Sequence, residues 1–367
     1  MSPRAAAAED TAVVAAPPTS WLPRRAGRRT NLGLLALLLL AGGTGVLAYG
    51  IGTPLPARVV VAAHGACGLG LLLLVPWKAV VVRRARRRPA TLRAPGAAVW
   101  LGVLVGVTVV TGVLHAVGLA GPWAALGGST TLVLHVAAAM LSAAVLVVHV
   151  WGRRQRPRAT DLSRRSLLQA GGLALGAASL WTALEGALRL TGAPGADRRG
   201  TGSVERGTDD PAAMPVTQWF TDTLPGTQAD TLQVVAGGRV VRVPLEDLDR
   251  GDTVRAALDC TGGWYAVQDW RGRRLDGLLV DVLGDALPTD GSVDVVSRTG
   301  YRRRLPLRDA GSLLLATRAA GRLLSPGHGA PLRLVAPGRR GFWWVKWVAR
   351  IEVVDAPWWW QPPFPLR

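Results

Sequence analysis

The chain has 2 cysteines and 5 histidines in 367 residues, so few side chains can hold a soft metal or carry a proton. Cys260 stands in Leu258-Asp259-Cys260-Thr261-Gly262-Gly263-Trp264. A single Cys ahead of a Gly pair reads either as a small buried residue or as a thiolate for a transition metal, held where the Gly pair lets backbone come close. Zinc does not fit, because the C-terminal half has no second Cys and only one His, His328. One thiolate is enough only if a cofactor brings the other ligands. A second constellation starts at Pro326-Gly327-His328-Gly329-Ala330-Pro331-Leu332-Arg333 and ends at Gly341-Phe342-Trp343-Trp344-Val345-Lys346-Trp347. It reads as strand, Gly-bounded turn and returning strand, with a rigid guanidinium fork, a mobile ammonium and turn amides suited to an anion. A solvated basic turn has the same composition, and Arg302, Arg303, Arg304, Arg339 and Arg340 read either as solvated surface, the favoured reading, or as side chains that attract an anionic substrate.

The other four histidines, His64, His115, His135 and His149, fall in long apolar runs. Five such runs, at 31–52, 59–82, 97–119, 130–151 and 167–188, reach the roughly 20 residues that cross a hydrocarbon core, and lipid permits only helices there. Imidazole is costly at that depth, so these residues are either packing contacts between helices or functional. His64 and His135 each lie about five residues inside the outer start of a span, some 7 to 8 Å deep. At one level on neighbouring helices of a four-helix bundle, they are expected to ligate one haem b axially on the outer side, with His115 as the alternative ligand. His149 follows His135 by 14 residues, about 21 Å along a helix. The matching position after His64 is Lys78, so a second haem lacks a ligand and His149 reads as a quinone-site or headgroup residue. Cys67 reads as core.

Charge sets the orientation of these elements. Residues 1–190 carry 20 basic and 4 acidic side chains (net +16), and residues 191–367 carry 23 and 20 (net +3). Basicity lodged between apolar runs is a membrane pattern, so nucleic acid is excluded as a partner despite a pI near 11.6. Arg4, Arg24, Arg25, Arg28 and Arg29 precede the first span, Arg83 to Arg93 separate the second from the third, and Arg153 to Arg165 separate the fourth from the fifth. The N-terminus is therefore expected in the cytoplasm, and everything after residue 190 outside it. The fifth run opens Ser163-Arg164-Arg165-Ser166-Leu167-Leu168-Gln169 and contains Glu185. It reads either as an ordinary last span or as an internal twin-arginine export signal, which would imply a cofactor loaded before export.

The expected organisation is multi-domain. It comprises a cytoplasmic basic tail (1–30), an all-α four-helix cytochrome b-like membrane domain (31–152), a fifth transmembrane segment (163–190), a linker (191–214), an α+β domain (215–356) and a Trp/Pro-rich tail (357–367). Strands are expected at 231–235, 240–243, 293–296, 332–335 and 343–354, and a helix at 276–287. Trp358, Trp359 and Trp360 are expected to dock at the bilayer, where indole sits comfortably.

Cys-x-x-x-Trp (Cys260 to Trp264), Trp-x-Gly-x-x-Leu (Trp270 to Leu275), His-Gly-x-Pro-Leu-Arg (His328 to Arg333), Pro-Gly-x-x-Gly (Pro337 to Gly341) and Lys346-Trp347 follow in order. Over roughly 215–355 the chain thereby resembles the sulfite oxidase-type molybdopterin oxidoreductases. The resemblance implies that Cys260 binds molybdenum and is catalytic. It also implies that His328, Arg333, Trp344, Val345 and Lys346 contact the pterin phosphate, with further polar contacts from Thr217 and Ser297. Sulfite oxidases of animals and plants carry an Arg soon after the metal Cys, where this chain has Gly263-Trp264, and continue into a dimerisation domain, whereas this sequence ends at Arg367. In both respects it is more similar to the catalytic subunit of bacterial methionine sulfoxide reductases, whose partner is a separate haem b membrane protein. The implied function is oxygen-atom transfer on a small oxyanion or sulfoxide outside the cytoplasmic membrane, with electrons exchanged with quinone through the haem. The alternative is a non-catalytic haem-bearing carrier or anchor with a degenerate molybdopterin fold.

Overall fold

The computed structural model describes residues 26–87, 95–123, 128–151, 158, 161, 163–217, 223, 225 and 231–364. Arg4, Arg24, Arg25, Arg88, Arg93, Arg153, Arg154 and Arg156, with most of the expected basic tail, lie outside the described residues. The N-terminal half is helical: α1 (Arg28–Gly50), α2 (Pro54–Leu73), α3 (Val75–Arg86), α4 (Pro95–Val117), α5 (Thr131–Trp151) and α6 (Arg164–Thr191). Five helices, all but α3, are long and apolar enough to cross a membrane.

The span expected at 59–82 differs from this. α2 starts at Pro54 and stops at Leu73, because Pro76 has no N–H for the Leu72 carbonyl, and α3 carries the chain on to Arg86. α1 packs on α2, α4 on α5, and α6 on α2. At one end of these helices Arg28 pairs with Asp161 at 2.6 Å, Arg84 donates to the Ala26 carbonyl at 3.0 Å, and Lys78 donates to Asn31 at 3.2 Å. Arg28 and the Arg158 N–H hold the Asp161 carboxyl down at about 2.

The opposite end meets the C-terminal domain. Glu185 of α6, anomalous in an apolar helix, accepts an ion pair from Arg198, which also donates to the Ala116 carbonyl at the end of α4. The segment expected as a linker is therefore folded. Its turn at Pro194–Asp197 lies against α4 so closely that a Cβ on Gly195 would meet the Ala116 carbonyl at 1.9 Å. Strand β1 (Val204–Glu205) then pairs in parallel with β5 (Trp264–Arg274), which satisfies the Val204 N–H at Gly263 O and the Arg206 N–H at Tyr265 O.

Two sheets follow. One runs β1-β5-β8-β10, with β4 (Asp252–Asp259) also on β5 and β9 (Arg322–Leu323) on β8 (Leu314–Ala319); β10 is Arg333–Val335. The other runs β3-β2-β11-β6-β7, built from β2 (Thr231–Ala236), β3 (Arg239–Pro244), β6 (Ser292–Ser297), β7 (Arg302–Pro306) and β11 (Val348–Val354). Helix α7 (Leu275–Leu283) joins them, and one core runs from Leu232, Val234 and Ile351 through Leu278 and Leu279 to Trp270 and Leu315. β11 is shorter than expected because Gly341–Trp343 forms a turn and Trp347 takes φ 52°. α7 ends at Leu283, ahead of Gly284 with φ 52°. β4 and β5 were not expected as strands because charge masks their alternation. On β5, Trp264, Ala266, Gln268 and Trp270 point inward, while Asp269 faces outward and pairs at 3.3 Å with Arg255 directly opposite on β4.

Candidate active site

Cys260 follows β4 and opens the tight turn into β5. Gly262 donates to its sulfur at 3.3 Å, and Gly263 takes φ +87°, a backbone conformation that suits glycine. The turn is braced from behind by Asp259, which is 3 % exposed. Asp259 accepts from Thr201 at 2.8 Å and Ser203 at 2.7 Å, and pairs with Arg199 at 3.3 Å and with buried Arg340. Sequence reasoning passed over Asp259; its one signal was an acid directly before the Cys.

The basic constellation closes the same cavity, about 200 Å³, lined among others by Cys260, Thr217, Ser297, His328, Arg333 and Lys346. Arg333 on β10 is 2 % exposed, between the rings of Trp270 and Trp344 at 5.4 and 5.7 Å. One Nη donates to the His328 carbonyl at 3.1 Å, while Nε has no partner among the described residues. Burial lowers the guanidinium to about 10, against the pull of the Cys260 thiol. Burial, helped by Arg333 and Lys346, pushes His328 down to about 4. It is therefore neutral at pH 7: Nε2 donates to Met214 O at 3.2 Å and Nδ1 accepts from Ser325 at 2.8 Å. Lys346 donates to the carbonyls of Thr217 and Gly327 at 2.7 and 2.6 Å. The Thr217 hydroxyl accepts from Trp264 Nε1 at 3.1 Å, and Ser297 accepts from the Thr299 N–H at 3.2 Å. Trp344 and Val345 contribute position: Trp344 Nε1 donates to Arg339 O at 3.1 Å, and Val345 O receives Leu334 N at 2.8 Å.

The five arginines expected at the surface are mostly not there. Arg303 and Arg340 are each 2 % exposed, because β7 alternates and turns residue 303 inward, and because Arg340 meets Asp259. Arg304 pairs with Asp294 at 2.8 Å and Arg339 with Asp309 at 2.6 Å; Arg302 alone is exposed.

In the helices, His64 and His135 face each other, ring centroids 5.7 Å apart at 84°. His64 Nδ1 donates to Ala41 O at 2.9 Å and His135 Nδ1 donates to Thr108 O at 2.8 Å, which leaves each Nε2 with a lone pair. Gly45 and Gly112 lie against these rings, where a Cβ would meet the Cε1 carbons at 3.1 and 3.0 Å. His115 is turned away from this pair toward the other half: its Nε2 donates to Gly202 O at 3.0 Å, and a Cβ on Gly263 would meet its ring at 2.6 Å. Beside it, Thr130 donates to Gly262 O at 2.8 Å. The C-terminal end of α4 and the N-terminal end of α5 thus touch the Cys260 turn.

Residues 229–360 match the family model described as the oxidoreductase molybdopterin binding domain. The C-terminal part of the chain therefore carries an oxidoreductase domain of the molybdopterin-binding kind, which supports a molybdenum oxidoreductase. Two curated relatives are nitrate reductases [NADPH]. That of Mycosarcoma maydis is 47% identical over 57 residues, 16% of this chain and 6% of the relative. That of Phytophthora infestans is 51% identical over 43 residues, 12% of this chain and 5% of the relative. Among solved structures, the sulfane dehydrogenase SoxCD from Paracoccus pantotrophus aligns at 25% identity with a TM-score of 0.33, covering 36% of this chain and 40% of that one. The residues present fit the cofactor: a cavity-lining thiol, a buried guanidinium with a spare N–H, and an ammonium beside turn carbonyls suit a metal at one end and an anion at the other.

Proposed function

We propose that the chain is a membrane-bound molybdopterin-dependent oxidoreductase, closest in type to the bacterial sulfoxide reductases. It transfers an oxygen atom to or from a small oxyanion or sulfoxide outside the cytoplasmic membrane, and it exchanges electrons with quinone through one haem b. The observation that carries this reading is the contact of the Cys260 turn with α4 and α5, the helix pair that also holds His135 against His64. Bound in the cavity, the cofactor supplies two-electron oxygen-atom transfer at molybdenum. Cys260 would hold the metal; His328, Arg333 and Lys346 would hold the pterin phosphate, with Thr217, Ser297, Trp344 and Val345 around them. The Nε2–H of neutral His328 is engaged with the Met214 carbonyl and would reach the phosphate only by releasing it, whereas buried Arg333 offers an unpartnered N–H.

His64 and His135 would be the haem ligands. A carbonyl bond at Nδ1 fixes the tautomer that presents Nε2 to iron, as metal-bound imidazoles commonly require. His115, with Nε2 already engaged, serves the contact between the two halves. Quinone would meet the chain at the far end, near His149. The arginine-rich end would face the cytoplasm, Arg164-Arg165 would serve in twin-arginine export, and exposed Trp359 and Trp360 would rest on the outer leaflet.

The test uses the detergent-purified full chain. Reduced quinol should produce the spectrum of a reduced b-type haem, and a reduced dye with sulfoxides, or an oxidised dye with sulfite, should give turnover. A chain that shows neither haem absorption nor turnover with either class overturns the proposal.

A further inference from the structure

The Cys260 cavity is not built by the C-terminal domain alone. One of its lining side chains is Tyr49, from the outer end of α1. The Tyr49 ring stacks on Phe342, centroids 5.9 Å apart and 7° from parallel. Phe342 is fixed in turn: its carbonyl accepts the Tyr301 hydroxyl, and the Arg303 guanidinium lies 5.3 Å from its ring. The residue before it, Gly341, runs so close to the thiol turn that a Cβ there would meet Cys260 Cα at 3.0 Å. Tyr49 is thus linked through Phe342 to Gly341, whose backbone lies against Cys260, and both Tyr49 and Cys260 line the cavity.

Its neighbours hold Tyr49 in place. Phe364 of the C-terminal tail packs edge-on at 5.4 Å, and a Cβ on Gly50 would meet that ring at 2.8 Å. Three residues along from Tyr49, Gly52 lies flush on the loop at 338–340, where a Cβ would strike Arg340 N and Gly338 O at 2.9 Å each. The α1–α2 turn thus meets the domain backbone to backbone three residues from the Tyr49 ring.

We propose that Tyr49, a residue of the membrane region, forms a wall of the Cys260 cavity and sets the size of the molecule that reaches the thiol. The proposal rests on the cavity being the reaction site, but its test does not need turnover. The full chain carrying Cys67→Ala, which leaves Cys260 as the sole thiol, is prepared from cells starved of molybdopterin. Intact-mass spectrometry follows its modification by iodoacetamide and by a bulky fluorescein maleimide. Tyr49→Ala should raise the rate with the bulky reagent, relative to that with iodoacetamide, by about tenfold, the order by which a pocket wall discriminates size. Tyr49→Phe, which keeps the ring, should leave the ratio within about twofold. If Tyr49→Ala raises both rates by one factor, its role is to hold the two halves together, and the proposal fails. An unchanged ratio overturns it equally. Either result leaves the molybdenum assignment standing, because neither depends on bound metal.

Discussion

In the helices, Leu175 and Leu190 are 72 % and 90 % exposed while Glu185 is drawn into an ion pair with Arg198; in the sheet domain, Leu232 and Trp270 are sealed at 0 % and the charged side chains of Arg333 and Arg340 are buried at 2 %. The difference is the one that two solvents would produce. A helix long and apolar enough to cross a membrane can leave its apolar residues exposed there but has to pair its polar ones internally, and His64 and His135 are paired in this way with the carbonyls of Ala41 and Thr108. A domain in water hides its apolar residues; Arg340 is buried on the Asp259 carboxylate, whereas Arg333 is buried between two indole rings with its Nε unpartnered among the described residues.

Four expectations test that contrast. The largest effect belongs to Cys260→Ser, which should remove molybdenum from the purified chain and lower turnover by about three orders of magnitude, measured by elemental analysis and dye-linked assay; haem absorption should persist. His64→Ala and His135→Ala should do the converse. Haem absorption should be lost and quinol-linked turnover should fall by about a hundredfold, while molybdenum stays bound. Asp259→Ala, which strands the buried Arg340, should cost about 3 to 5 kcal/mol and lower the melting temperature of the full chain in detergent; a melting point within a degree of the parent's would show that the pair does not brace the turn.

The smallest effect is one of pH. Unfolded His328 binds its proton near 6.5, whereas the folded residue binds it near 4. Between those values the unfolded chain takes up more protons, so the stability of the cofactor-free chain falls as pH drops from about 6.5 to about 4. His328→Gln should flatten that slope in a series of melting curves, and an unchanged slope would assign it to other groups.

The cavity residues were legible because Cys260, His328 and Lys346 sit at turns and Arg333 opens the strand just after one, where glycine and proline mark the chain. Cys260, His328, Arg333 and Lys346 line one cavity; the roles that the resemblance implies for them stay a proposal. His64 and His135 meet although α2 begins at Pro54, five residues before the span expected from hydropathy, because the added residues lengthen the helix ahead of His64 without changing its place on it. What escaped were long-range partners. Nothing local says that Asp259 will gather Thr201, Ser203 and Arg340, or that Arg303 will turn inward, since composition places acids and arginines at the surface. The segment 191–214 has a linker's composition, yet its backbone groups are taken by β5 and by the end of α4. Tyr49 escaped for the same reason, because a helix periodicity does not say what its last residue will touch.

The central claim is a metal on one sulfur atom in a chain that also holds haem iron between two helices. Elemental analysis of the full chain, purified in detergent from cells supplied with molybdate and haem, tests it most directly. The account predicts molybdenum and iron each near one atom per chain, with molybdenum alone lost in the Cys260→Ser variant. Iron without molybdenum, or molybdenum retained after that substitution, would contradict it.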